Sequence, residues 1–122
     1  MKLHMTPTSA NLFTSHGNGY VEVKNQRYEK SLIVLPDEVI ADWAPASFEA
    51  LAANDFAPLL ATKPELVLVG TGAKLRFPKP ELLRPLIEAR VGYEIMDVPA
   101  LCRTYNVLVA EGRRVAAAVL IA

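Results

Sequence analysis

Apolar and polar positions fall into three stretches along the chain. Residues 11–35 alternate over short distances. Leu12-Phe13-Thr14-Ser15-His16 reads as a first strand, and Gly17-Asn18-Gly19 as a turn, because Gly and Asn tolerate positive φ. Tyr20-Val21-Glu22-Val23 follows as a second, alternating strand, and Asn25-Gln26 as a short turn into Arg27-Tyr28-Glu29. Ser31-Leu32-Ile33-Val34-Leu35 is continuously apolar up to Pro36-Asp37, the pattern of a strand covered on both faces.

The second stretch is irregular. Ser47 is placed to cap a short Ala-rich helix over 48–53, whose Phe48, Leu51 and Ala52 share one face. Residues 55–60 hold at most one helical turn, because Pro58 lacks an N–H. Trp43, Phe48 and Phe56 are expected to anchor this connection to the core.

The third stretch alternates strand and helix. Residues 65–69 form an apolar strand that ends in Gly70-Thr71-Gly72. A helix is predicted over 81–90, with Pro80 at its first position, Pro85 inside it and Gly92 ending it. A strand over 93–96 leads to Asp97, the cap of a helix that holds Pro99 early and runs to about Ala110. Leu101, Cys102, Tyr105, Leu108 and Val109 face inward on it. The last strand covers 115–121. The order is four strands, a short helix, then β-α-β-α-β. The runs 66–69 and 115–121 suit the centre of a sheet. Residues 66–96 form a βαβ unit with a right-handed crossover expected. A loose tail over 1–10 and one α/β domain over 11–122 complete the layout.

Composition narrows the function classes. The chain has 122 residues, 52% of them hydrophobic, which is enough for a packed core. Thirteen basic residues balance thirteen acidic ones. The first half carries four basic and seven acidic residues, the second nine and six, a mild asymmetry of an ordinary surface. Neutral charge and the lack of interleaved basic and aromatic residues argue against nucleic-acid binding. One cysteine excludes an internal disulfide framework. No signal-peptide core or membrane-length apolar run is present, so a cytoplasmic, bacterial chain without membrane insertion is expected.

Candidate chemistry is sparse. Gly70, Thr71, Gly72 and Lys74 form a strand-end loop whose N–H groups and ammonium could cradle an anion. The dinucleotide fingerprint is incomplete, since Leu75 replaces a third Gly and the helix starts late. Asp97 ends the next strand, so it should lie beside Thr71 if the two strands are neighbours. Thr104 and Asn106 are polar on an otherwise apolar helix and are expected to hydrogen-bond to nearby loops, the Gly70–Gly72 turn among them. His4 and His16 have no metal-site spacing, so neither a metal nor a cofactor is predicted. Ser31, Ser47 and Cys102 lack a nucleophile's context, and no catalytic residues are assigned.

Several segments resemble a known family when taken in order. They are Asn18-Gly19-Tyr20-Val21, Ser31-Leu32-Ile33-Val34, Leu68-Val69-Gly70-Thr71-Gly72, Glu94-Ile95-Met96-Asp97, Thr104-Tyr105-Asn106-Val107-Leu108 and Glu111-Gly112-Arg113-Arg114-Val115-Ala116-Ala117. Over residues 11–121 the chain resembles the small α/β domain family of uncharacterised bacterial and archaeal proteins. That family includes a mitochondrial assembly factor of respiratory complex I, the third of the NADH dehydrogenase assembly factors, and the adipogenesis-associated domain protein. The resemblance implies a three-layer fold with a central mixed sheet, packed helices and a smaller N-terminal β-hairpin layer. It supplies no catalytic residues. Two readings follow. One is a non-catalytic interaction or assembly module whose partners, by resemblance, are respiratory complex subunits. The alternative is a small-ligand or anion-binding domain, an enzyme included, with its crevice at the Gly70–Gly72 loop and Asp97.

Overall fold

A computed structural model of the chain describes residues 10–121. The tail expected over 1–10, with His4, lies outside the described residues except for Ala10, which is buried against the core.

The first three strands form their own antiparallel sheet, ordered β1-β2-β3: β1 (Phe13–Gly17), β2 (Tyr20–Val23) and β3 (Gln26–Tyr28). The β2–β3 turn is Lys24-Asn25, one residue earlier than expected. Both residues take positive φ (50° and 66°), the pairing that a tight hairpin turn requires. The second sheet has five strands in the order β5-β4-β8-β6-β7. They are β4 (Leu32–Leu35), β5 (Glu38–Ile40), β6 (Leu66–Gly70), β7 (Gly92–Met96) and β8 (Val115–Val119). The pairs β6–β7 and β6–β8 are parallel, while β4 runs antiparallel to both its neighbours. The apolar runs read as central strands are central. The short β5 was missed, because Glu38-Val39-Ile40 directly follows the Pro36-Asp37 stop.

Alternation along the inner strands divides the core between two faces. On one face Leu32, Val34, Leu68, Val115, Ala117 and Val119 pack under α3 (Val98–Ala110) and the three-stranded sheet. On the other, Ile33, Leu35, Val67, Val69, Ala116 and Ala118 meet α2 (Pro80–Glu88), the short α1 (Ala57–Ala61) and Trp43, Leu51 and Phe56. This is the three-layer arrangement that the resemblance implied.

The helix expected over 48–53 does not form. Ser47 caps only a turn, with Ala50 N–H 3.3 Å from its Oγ. Ala52 is extended at φ −127°, and its N–H donates to Asp55 Oδ2 at 2.8 Å. The carboxylate thus starts a 3-10 turn at Ala53–Phe56 that leads directly into α1. Phe48 is drawn to Arg76, whose guanidinium lies 4.5 Å above its ring. The end of α2 also differs: Arg90, at φ 58°, turns the chain, and Gly92 already belongs to β7.

Candidate functional site

The loop after β6 is sewn to the start of α3 by backbone bonds. Thr71 N–H donates to Met96 O and Val98 N–H to Gly72 O, each at 2.9 Å. Thr71 and Asp97 therefore sit side by side at the ends of paired parallel strands. Asp97 Oδ1 accepts from Ala100 N–H at 2.9 Å and caps α3. Gly70 is required here for space: a Cβ would stand 2.9 Å from Leu101 Cδ1 and 3.2 Å from Val98 Cγ2. Thr71 is fully buried. Its hydroxyl donates to Lys74 O at 2.6 Å and accepts from Arg76 N–H at 3.1 Å, so it shapes the loop from within. Gly72 turns the loop at φ +103°.

This loop forms one wall of a cleft of about 680 Å³. Gly72, Ala73, Lys74 and Arg76 line that wall, and His16 to Tyr20 of the β1–β2 turn form the opposite one. Val98, Pro99, Leu120 and Ile121 supply its apolar lining. Of the residues singled out in the sequence, Gly72 and Lys74 line the cleft. Gly70, Thr71 and Asp97 stand behind it and hold its shape.

Thr104 and Asn106 lie elsewhere on α3, and the expected bond to the Gly70–Gly72 turn is not made. Asn106 instead grips β1. Its Oδ1 accepts from Phe13 N–H at 2.9 Å, and its Nδ2 donates to Phe13 O at 2.8 Å. Tyr105 adds a hydroxyl bond to Asn11 O at 2.8 Å and an edge-on contact with the Phe13 ring. These groups hold the hairpin layer on α3. Asn106 also borders a second hollow of about 290 Å³ with Cys102, Arg103 and residues 13–16. Thr104 is half-buried and borders neither hollow.

His16, Tyr20 and Arg76 also line the cleft, though none is marked as a site residue by its sequence context. Gly17 carried a signal, because a Cβ there would run into the Tyr20 ring. That ring is covered on another side by the Arg27 guanidinium, 3.9 Å from its centre. Arg76 pairs with exposed Glu49 at 2.6 Å, and its buried Nε finds no acceptor among the described residues. A backbone hydrogen bond at Glu49 and then the Arg76 guanidinium hold the Glu49 carboxyl below the usual range. Burial pushes the Cys102 thiol up to about 12, and pushes the Tyr105 phenol well above its ordinary value. Cys102 therefore stays a neutral thiol at ordinary pH. Ser31 Oγ is buried and accepts from Ile121 N–H at 3.3 Å. Among the described residues, no group of three or more His, Cys, Asp or Glu could hold a metal, and no helix is long and apolar enough to cross a membrane.

Residues 13–120 match the family described as protein of unknown function (DUF498/DUF598). The chain is 28% identical over 117 residues to the Bos taurus NADH dehydrogenase [ubiquinone] 1 alpha subcomplex assembly factor 3. That match covers 94% of this chain but 62% of the relative, less than two thirds of its length. A crystal structure of a Bordetella parapertussis protein superimposes with a TM-score of 0.86 at 38% identity, covering 94% of this chain and 98% of that one. A Bordetella pertussis protein described as an Mth938-like domain gives 0.80 at 36% identity, covering 99% and 92%.

Proposed function

The chain belongs to the DUF498/DUF598 family, and from that premise we propose that it is a non-catalytic interaction module that helps a respiratory membrane complex assemble. The similarity to assembly factor 3 carries this reading, because its 117 residues run through every layer of the fold rather than one motif. The surface supports it. Leu75 and Phe77, on the long loop between β6 and α2, are 50% and 72% exposed. Apolar side chains this exposed on one loop suit a contact with another protein. A cytoplasmic location belongs to the same reading.

The test is co-purification of the tagged chain, at native expression, from gently solubilised membranes of its source organism. Subunits of the respiratory NADH dehydrogenase should be recovered, and a Leu75→Ser/Phe77→Ser variant should lose them. A preparation that reproducibly lacks those subunits overturns the proposal.

The cleft favours a second reading, a small-ligand or anion-binding domain. Its volume of about 680 Å³ lies within the range of small-molecule sites, roughly 300–1,000 Å³. In this reading Lys74 and the Gly72 turn meet the ligand, while Gly70, Thr71 and Asp97 hold the loop in place.

A further inference from the structure

The cleft between the 72–76 loop and the β1–β2 turn has one sign of charge and one apolar side. Among the described residues its lining includes Lys74, Arg76 and His16 but no Asp or Glu. The Lys74 ammonium forms no ion pair among the described residues. Arg76 does have a carboxylate partner, but Glu49 is largely solvent-exposed and lies outside the lining. The N–H groups of Gly72, Ala73 and Lys74 find no acceptor among the described residues, whereas those of Thr71 and Arg76 are used. Successive free N–H groups at a glycine turn make a concavity that favours negative charge. Asp97, the nearest acid in sequence to the apolar lining, has its Oδ1 occupied by the first turn of α3.

The rest of the lining is apolar. Val98 and Leu120 are buried, Pro99 and Ile121 are half-buried, and Tyr20 belongs to the opposite wall. A bare inorganic anion would use only the cationic wall. A ligand with a carboxylate at one end and a short hydrocarbon body would use both.

We propose that this cleft binds small amphipathic monocarboxylates, with the carboxylate on Lys74 and the 72–74 backbone and the hydrocarbon over Val98, Pro99 and Ile121. The proposal rests on the ligand-binding reading and moves the ligand away from Asp97, to the wall opposite the hairpin turn.

Amide-resolved NMR titration of the full chain tests it, with octanoate, octan-1-ol and inorganic phosphate as probes. Octanoate should shift the amides of residues 72–76 and 16–20 in a saturable way. Octan-1-ol should bind at least about tenfold more weakly, a difference of about 1.4 kcal/mol. Lys74→Glu should weaken octanoate by a similar factor, and Lys79→Glu, outside the lining, should leave it unchanged. Equal binding of octanoate and octan-1-ol overturns the carboxylate assignment. Saturable octanoate shifts confined to residues around Asp97 or Asn106 overturn the placement and leave the ligand-binding reading standing. No saturable shift with any of the three probes overturns both.

Discussion

The two faces of the five-stranded sheet are covered in different ways. On the α2 side the cover is apolar: Phe56, Leu59, Leu83 and Leu86 are all buried there. A buried aromatic there makes a local hydrogen bond, from Trp43 Nε1 to Asp55 O at 2.8 Å. On the α3 side the outer layer is a small sheet with little to bury, since Gln26 and Arg27 of β3 and three residues of β1 are exposed. Polar pins make up the difference. Asn106 and Tyr105 reach 93 and 94 residues back along the chain to Phe13 and Asn11. Apolar area is non-directional, so it can hold a helix in place but cannot fix the register of a sparse hairpin. Directional side-chain-to-backbone bonds can.

The largest effect should come from the apolar part of both faces. Leu101→Ala and Leu86→Ala each remove a fully buried side chain. Each should cost about 2–5 kcal/mol, read as a shift in denaturant midpoint. If Leu86→Ala costs almost nothing, the α2 side is not held by apolar burial. Asn106→Ala comes next. It strands the N–H and C=O of Phe13 and should cost about 1–3 kcal/mol. Its signature is local: amide exchange should rise in β1 and β2 well before it rises in β6. Uniform acceleration across both sheets would mean that the pins stabilise the whole chain rather than the hairpin.

The last effect emerges only in alkali and belongs to the α3 side alone. The buried thiol of Cys102 is pushed up to about 12, above its unfolded value, so the folded state holds a proton that the unfolded state has released. Tyr105 is shifted in the same direction. Their contribution is complete below the ordinary values of the two groups and is lost as pH climbs from there through the raised folded-state values. Stability should therefore fall between about pH 9 and 12. A Cys102→Ala variant should show a shallower decline. An identical slope in the variant would remove the thiol as a cause.

Elements dominated by neighbouring residues were legible in the sequence. The Asp97 cap and the central positions of the runs 66–69 and 115–121 follow from local patterns, although β8 ends at Val119, while the closeness of Thr71 to Asp97 needed the β6–β7 pairing as well. The 48–53 segment is not helical because side chains outside it claim its groups, one distant in sequence and one just beyond its end. Arg76 takes Phe48, and Asp55 takes the Ala52 N–H. The cleft was half legible for a similar reason. Gly72 and Lys74 stand out along the chain, but the wall from His16 to Tyr20 comes from an element more than fifty residues earlier. Asn106 looked like a loop contact, and nothing near it in sequence points to Phe13.

The central place of β8 bears on how the chain is synthesised. β8 joins β4–β5 to β6–β7, so until residues 115–119 leave the ribosome the inner edges of β4 and β6 lack their shared partner. Translation that stalls before Val115 would leave both edges open, with Ile33, Val34, Val67 and Val69 on them. Val115-Ala116-Ala117-Ala118-Val119 then has to enter between them as a keystone, and its three small alanines, Ala117 on one face and Ala116 and Ala118 on the other, leave room for the layers packed on both faces of the sheet. Chaperone demand during translation should therefore peak late, in the interval between completing β7 and completing β8.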